Sequence, residues 1–450
     1  MKVKSTSGRC VLSRRGFFKI GGGVLAGSMV AGCTISRKEE SEKIKRYKTL
    51  GMTGFKVSDI ALGCGPVKDA NVVRYAYDRG INYFDTAEGY GNGASEKAIG
   101  RAMKYMDRKK IWITTKLRIT DEDSENRIID RVRRSLERLN TDYIDSLYIW
   151  GVTDAKLLNH KGFHSAARLL KAEGRLKHIG VSSHGPRRKG QDSMEKVLCS
   201  AAEDGRFDLL LMVYNFMNRE EAEKIIAVCK KRGVGTTAMK TRPGVLEVES
   251  FNPENPTDRQ SETIERMMKR GMSREKAVER IKKMIEQQQE TLKKTESFIK
   301  KYGIKSKDQL DRVSVQWVLN NPDMDTVCIG MADFESIDKY IPLSGTSLSF
   351  ESKMFLKDFE LAYNNLYCRH GCTICTENCS YDLPVSTIMR YSYYFKIQGR
   401  EKYAMEKYAG LGKLNGSLCE TCNAPCEVKC PYGVAIQSNL LAAHSILSFV

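Results

Sequence analysis

Residues 80–100 read GINYFDTAEGYGNGASEKAIG. The run INYFDTA (81–87) is short, apolar and aromatic, and it breaks into a glycine-rich loop that places Asp85 and Tyr90 five apart. Seven further runs have the same character: VSDIALGCG (57–65), IWITTKL (111–117), YIDSLYIW (143–150), HIGVSSH (178–184), LLLMVYN (209–215), GTTAMK (235–240) and TVCIGM (326–331). Continuous apolar runs rich in β-branched and aromatic residues are what parallel strands buried on both faces require. Amphipathic helical patterns separate them. In one, Ile128, Val132, Leu136 and Leu139 share a face, and Asp121, Glu122 and Asp123 precede it where a helix N-terminus favours negative charge. Eight such units predict an α/β fold of the (β/α)8 barrel type, with functional residues at the C-terminal ends of the strands. An open doubly wound sheet is the alternative, but no glycine fingerprint follows the first strand before its helix.

Lys116 sits near the end of the third run. A free tyrosine has a pKa near ~10. An ammonium within ~4–6 Å would lower that value by stabilising the phenolate, and an aspartate behind the lysine would keep it charged. Tyr90 would then give a proton to a carbonyl oxygen, or take one from an alcohol. Taken singly, a strand-end aspartate caps a loop and a lysine is solvated. Their placement on consecutive strands predicts a site.

The stretch 80–100 resembles the signature of the aldo/keto reductase superfamily. ITTK, RSLERLNTDYID, KHIGVSSH, GVGTTAMK and VQWVLNNPDMDTVCIGM extend the likeness, in order, over roughly residues 47–345. The resemblance implies a TIM barrel, a small carbonyl, alcohol or sugar-like substrate, and a nicotinamide cofactor, NAD or NADP, at the barrel mouth. It assigns Asp85, Tyr90 and Lys116 to catalysis, and Ser182, Ser183, Asn215, Met239, Lys240 and Gly330 to the cofactor. Three departures stand out. The family's histidine is replaced by Trp150, whose indole donates one hydrogen bond but shuttles no proton. Met239 replaces an aromatic residue, and MADFESIDKY after Gly330 lacks the early cation that pairs an adenosine 2′-phosphate.

Of fourteen cysteines, Cys64, Cys199, Cys229 and Cys328 are scattered through the predicted barrel, as small buried apolar residues would be. Eight others form two quartets, Cys368, Cys372, Cys375 and Cys379, then Cys419, Cys422, Cys426 and Cys430, the last followed by Pro431. Four thiolates in a short span ending in Cys-Pro suit a cubane iron–sulfur cluster. Structural zinc and disulfides are the alternatives. One branch of the superfamily carries a ferredoxin-like tail, and that resemblance implies two [4Fe-4S] clusters. Spacing leaves open whether Cys379 serves the second trio and Cys430 the first.

The chain has 450 residues and a formal net charge of +19. Without residues 1–32, which hold six lysines and arginines and no acid, the surplus is +13. That surplus favours anionic surfaces such as phospholipid headgroups. Nucleic acid is not expected as a partner, because no basic stripe interleaved with aromatics occurs. SRRGFFKIGGGVLAGSMVAGC (13–33) has a basic start and a weakly apolar run shorter than the ~20 residues that span a bilayer. Arg14 and Arg15 resemble a twin-arginine export signal, and VAGC a lipoprotein processing box with Cys33 as the lipid-bearing residue. An ordinary cleaved leader is the alternative. The expected organisation is a signal (1–33), a charged tether (34–46), a barrel (47–345) with a charged helical insertion (245–305), and a small, mainly helical ferredoxin-like dicluster domain (346–450). The expected protein is an exported, membrane-anchored oxidoreductase with a membrane or periplasmic electron-transfer partner. An NAD(P)H-dependent carbonyl reductase with a structural metal tail is a second reading, and a non-catalytic electron-transfer or assembly protein a third.

Overall fold

The strand residues of the third run, Trp112–Leu117, are buried without exception, so both faces of that strand are covered, as its unbroken apolarity requires. A computed structural model describes residues 42–243 and 307–448 except 397 and 421, together with 252–256, 300–302 and short pieces between 261 and 282. The signal with Cys33, and most of the 245–305 insertion, lie outside the described residues; within the insertion, residues 274–279 are helical.

All eight predicted strands form. They are β3 (Ile60–Gly63), β4 (Tyr83–Asp85), β5 (Trp112–Leu117), β6 (Ile144–Ile149), β7 (Leu176–Ser183), β8 (Leu209–Val213), β9 (Gly235–Met239) and β10 (Thr326–Gly330). They pair in parallel, and β10 closes on β3 to make an eight-stranded barrel. The run 57–65 divides in two. Its start belongs to β2 (Lys56–Ser58), which pairs antiparallel with β1 (Tyr47–Thr49) outside the barrel. Asp59 makes the break, because its carboxylate accepts hydrogen bonds from Ser344 Oγ at 2.7 Å and Gly345 N at 2.9 Å.

Helices α1 (Ala70–Asp78), α2 (Ala94–Ala102), α3 (Glu125–Leu139), α4 (Lys161–Ala172), α5 (Met194–Asp204), α6 (Glu220–Arg232), α7 (Lys307–Leu319) and α8 (Phe334–Tyr340) follow successive strands. In α3 the predicted face Ile128, Val132, Leu136 and Leu139 is buried, and Ser124 caps the first turn by accepting from Arg127 N.

The C-terminal region is helical: α9 (Phe350–Tyr363), α10 (Ile374–Glu377), α11 (Val385–Lys396), α12 (Glu401–Ala409), α13 (Pro425–Val428) and α14 (Ile436–Leu447). It has its own core, built on Leu383, Ile388, Ala404, Leu440 and Leu447. It is also packed on the barrel within one compact unit, Glu42–Val450. Phe216 and Met217 after β8 bury against Phe355 and Phe359 of α9, and each such side chain contributes about 1.5–3 kcal/mol. Nearer the mouth, two loops meet backbone to backbone. A Cβ on Gly185 would lie 2.9 Å from Gly371 Cα, and both glycines have positive φ, +78° and +76°. Glycine is what lets the tail come this close.

Candidate active site

Asp85 ends β4 and Lys116 is the penultimate residue of β5, one strand over. Lys116 Nζ donates to Asp85 Oδ1 at 2.5 Å and to Thr86 O at 2.6 Å, and both side chains are sealed from solvent. The lysine is thus held in place by the aspartate. Its Nζ lies 5.1 Å from the centroid of the Tyr90 ring. Trp150, just after β6, meets Tyr90 edge to face with centroids 5.2 Å apart.

The structure corrects one expectation. Lys116 does not bring the Tyr90 phenol down. Burial first, and then the Asp85 carboxylate, hold Tyr90 well above the ordinary tyrosine value. With its ammonium engaged by Asp85 and Thr86, Lys116 compensates too little of the cost of ionising a desolvated phenol. Burial thus favours the neutral phenol of Tyr90 over its phenolate.

Asp85, Tyr90 and Trp150 open into a cavity of about 630 Å³. Its floor is the barrel mouth, with Gly63, Met239, Lys240 and Gly330, and its roof is α11 and α12 of the C-terminal region, with Arg390, Tyr394, Arg400 and Tyr403. Eight arginine or lysine side chains line it against three carboxylates. Lys240 lies 4.2 Å over the ring of Tyr394. Burial raises the Tyr394 phenol, but Lys240, Arg390 and Arg400 outweigh it and bring the group down to about 8. None of these roof residues stood out in the sequence. The visible signal was the spacing in MRYSYYFKIQGREKY, where Arg390 and Tyr394 are one helical turn apart.

The aldo/keto reductase family model matches residues 50–352. The chain belongs to the aldo/keto reductase family. It is 29% identical over 205 residues to a probable aldo-keto reductase of Glycine max, covering 41% of this chain and 56% of that one. An aldo-keto reductase of Fusarium vanettenii is 25% identical over 356 residues, 69% of this chain and 90% of its own. The L-galactose dehydrogenase of Arabidopsis thaliana is 29% identical over 224 residues, 46% and 68% respectively. The match spans little more than half the length of the Glycine max protein, and 62% of an aldo-keto reductase of Alternaria alternata. A solved aldo-keto reductase of Bacillus halodurans superposes with a TM-score of 0.48 at 21% identity, over 70% of this chain and 95% of that one. The C-terminal region beyond residue 352 lies outside the family match.

Against the family pattern, the cofactor residues divide. Met239, Lys240 and Gly330 line the cavity. Ser182, Ser183 and Asn215 do not; all three are fully buried. Ser182 Oγ accepts from Gly151 N at 2.9 Å, and Ser183 Oγ donates to Val152 O at 2.7 Å and accepts from Gly185 N at 3.1 Å. Asn215 Nδ2 donates to Lys240 O at 2.8 Å and to Tyr367 Oη at 3.2 Å, while its Oδ1 accepts from Met217 N at 3.0 Å. The groups that the resemblance assigns to a carboxamide are engaged by the protein itself, partly by a tyrosine of the C-terminal region. The nicotinamide head does not fit these residues as they stand, although the groove is open at Gly330.

Burial raises the Cys368 thiol, and Cys375, Cys372 and Cys430 add to the rise as close neighbours. Burial likewise raises Cys419, with Cys379, Cys426 and Cys422 around it. Cys430 is thus among the groups that act on the Cys368 thiol, and Cys379 among those that act on Cys419. Among the described residues no cysteine is in a disulfide, and no three His, Cys, Asp or Glu side chains are gathered to hold a single metal ion. Cys64 and Cys229 are buried as expected, whereas Cys328 lines the cavity.

Proposed function

We propose that the protein is an oxidoreductase that binds a small carbonyl compound, alcohol or sugar-like molecule in the cavity between barrel and tail. Tyr90 is its proton donor, and the C-terminal cysteines hold two [4Fe-4S] clusters. The observation that carries this reading is the shared cavity: Tyr90, Asp85 and Trp150 face the same space as α11 and α12 of the cysteine-bearing region. The donor set suits the clusters. Cys368, Cys372, Cys375 and Cys430 would hold one, and Cys419, Cys422, Cys426 and Cys379 the other, the exchanged fourth cysteine being the pattern of two-cluster ferredoxins. Bound there, such clusters supply single electrons.

The chain's own residues do the rest. Reduction of a carbonyl by two single electrons takes up two protons: Tyr90, kept protonated by burial, donates one to the substrate oxygen, and water in the cavity supplies the one that reaches carbon. Lys116 lies 5.1 Å from the Tyr90 ring centroid and Arg400 favours the ionised form, so both cations would stabilise the phenolate left behind. Asp85 keeps Lys116 in register through the hydrogen bond from its Nζ. Trp150 fixes the tilt of the Tyr90 ring and offers one N–H donor. α11 and α12 roof the cavity, which strengthens every charge–dipole interaction inside it.

Tyr90→Phe tests the assignment. With dithionite-reduced viologen as electron donor and a panel of carbonyl compounds, wild type turns over and the variant falls by about 10²–10⁴-fold. Unchanged turnover overturns the role of Tyr90. A second reading, ordinary NAD(P)H-dependent carbonyl reduction, is favoured by family membership; NADPH replacing viologen in wild type would select it.

We further propose export by the twin-arginine-like leader and anchoring through a lipid on Cys33, facing a membrane or periplasmic electron-transfer partner. Among the described residues no helix is long and apolar enough to cross a membrane. Mass spectrometry of the mature N-terminus tests the anchor, and an unmodified start downstream of Cys33 removes it.

A further inference from the structure

Three guanidinium groups converge where the barrel mouth meets the roof. Arg118 follows β5 and lies 5.1 Å over the ring of Trp150. Arg187, in the loop after β7, packs on the residue after Trp150: a Cβ on Gly151 would lie 2.6 Å from Arg187 Nη2. Arg390 comes from α11 and is only 7% exposed. The Nε atoms of Arg187 and Arg390 are buried with no hydrogen-bond partner. Among the described residues, none of the three has a carboxylate within ion-pair distance. Burial, and then repulsion from Arg118 and Arg390, bring the Arg187 guanidinium down to about 10. A protein interior does not hold unpaired cations together without cost. Other cations of the wall are held by the protein: Lys116 pairs with Asp85, Arg242 with Asp311 at 3.5 Å, and Lys240 lies over the ring of Tyr394.

We infer that Arg118, Arg187 and Arg390 form an oxyanion subsite, and that the substrate carries a carboxylate or phosphate group beside the carbonyl or hydroxyl presented to Tyr90. Guanidinium forks match both groups through paired N–H donors. The position favours a substrate anion over a cofactor phosphate. Arg118 and Arg187 lie against Trp150 and Gly151 just after β6, with Arg390 facing Arg187 from the roof, whereas Gly330 lines the cavity from β10. The substrate assignment rests on the cavity being the reactive site, but the anion site is measured by binding alone, so the two can fail separately.

The test is calorimetric titration of the full chain with inorganic phosphate and, separately, with NADP⁺, paired with thermal melts. Wild type binds phosphate saturably. R187Q and R390Q each bind it at least about tenfold more weakly, R187K keeps part of the affinity, and R390Q melts no lower than wild type because an uncompensated buried charge has gone. Absence of saturable phosphate binding in wild type, or affinity unchanged in both glutamine variants, overturns the subsite. A lowered melt in R390Q does the same, since the cation is then a structural element. If NADP⁺ displaces phosphate and loses affinity in parallel across the variants, the anion belongs to a dinucleotide and the substrate assignment falls.

Discussion

Two sets of buried cations lie within one cavity wall and follow opposite rules. Lys116 is sealed, paired with Asp85 at 2.5 Å and hydrogen-bonded to a backbone carbonyl. Arg187 and Arg390 are buried with free Nε donors and face one another across the barrel–tail boundary. The first set has its charge neutralised within the protein, although Asp85 Oδ2 is left without a hydrogen-bond partner, so it positions Tyr90. The second is incomplete, so it marks where something from solution must arrive. Within the wall, pairing distinguishes framework from recognition better than residue type does.

The largest effect should come from breaking the framework. Lys116→Met leaves the Asp85 carboxylate buried without its partner, and we expect about 3–5 kcal/mol of destabilisation in denaturant melts. Asp85→Asn combined with Lys116→Met should recover most of that loss. If Lys116→Met alone is neutral, the pair does not hold the site and the contrast with the arginines fails.

The boundary itself comes next. Gly185→Ala places a Cβ against Gly371 at a positive φ, a strain of about 1–3 kcal/mol, and should loosen the tail rather than the barrel. Hydrogen exchange would show faster exchange in residues 367–372 with the barrel strands unchanged. Tyr367→Phe is milder. It removes the acceptor for one Asn215 N–H bond, which should cost about 0.5–1.5 kcal/mol and free the side chain that blocks carboxamide contact. Nicotinamide affinity rising in Tyr367→Phe would sharpen the reading of that block.

The smallest effect is a titration. Tyr394, lowered to about 8, should show phenolate absorbance well below the other tyrosines, and Tyr394→Phe should abolish it. Between about pH 8 and 10 the unfolded chain retains a proton that the folded chain has released. Stability from this group therefore rises across that window and is lost as pH falls through 8.

The barrel was legible in the sequence because each strand is short, apolar and buried on both faces, and helical patterns separate the runs even where the insertion stretches the last interval. Asp85, Tyr90 and Lys116 were legible as strand-end residues on neighbouring strands. What burial would do to Tyr90 was not, because desolvation depends on what covers the ring, and Tyr403 and Arg400 arrive from more than three hundred positions away. Arg118, Arg187 and Arg390 were missed for the same reason: they lie on two loops and a tail helix that share no periodicity. The engagement of Asn215 by Tyr367 was likewise invisible, since it joins residues 152 positions apart.

The most direct test of the account is the metal, sulfide and nicotinamide content of the full chain purified without oxygen and then denatured. Two clusters predict about eight iron and eight sulfide per chain, without stoichiometric nicotinamide. Zinc in place of iron, fewer than about four irons, or one released nicotinamide per chain would contradict the assignment of electron supply to the C-terminal cysteines.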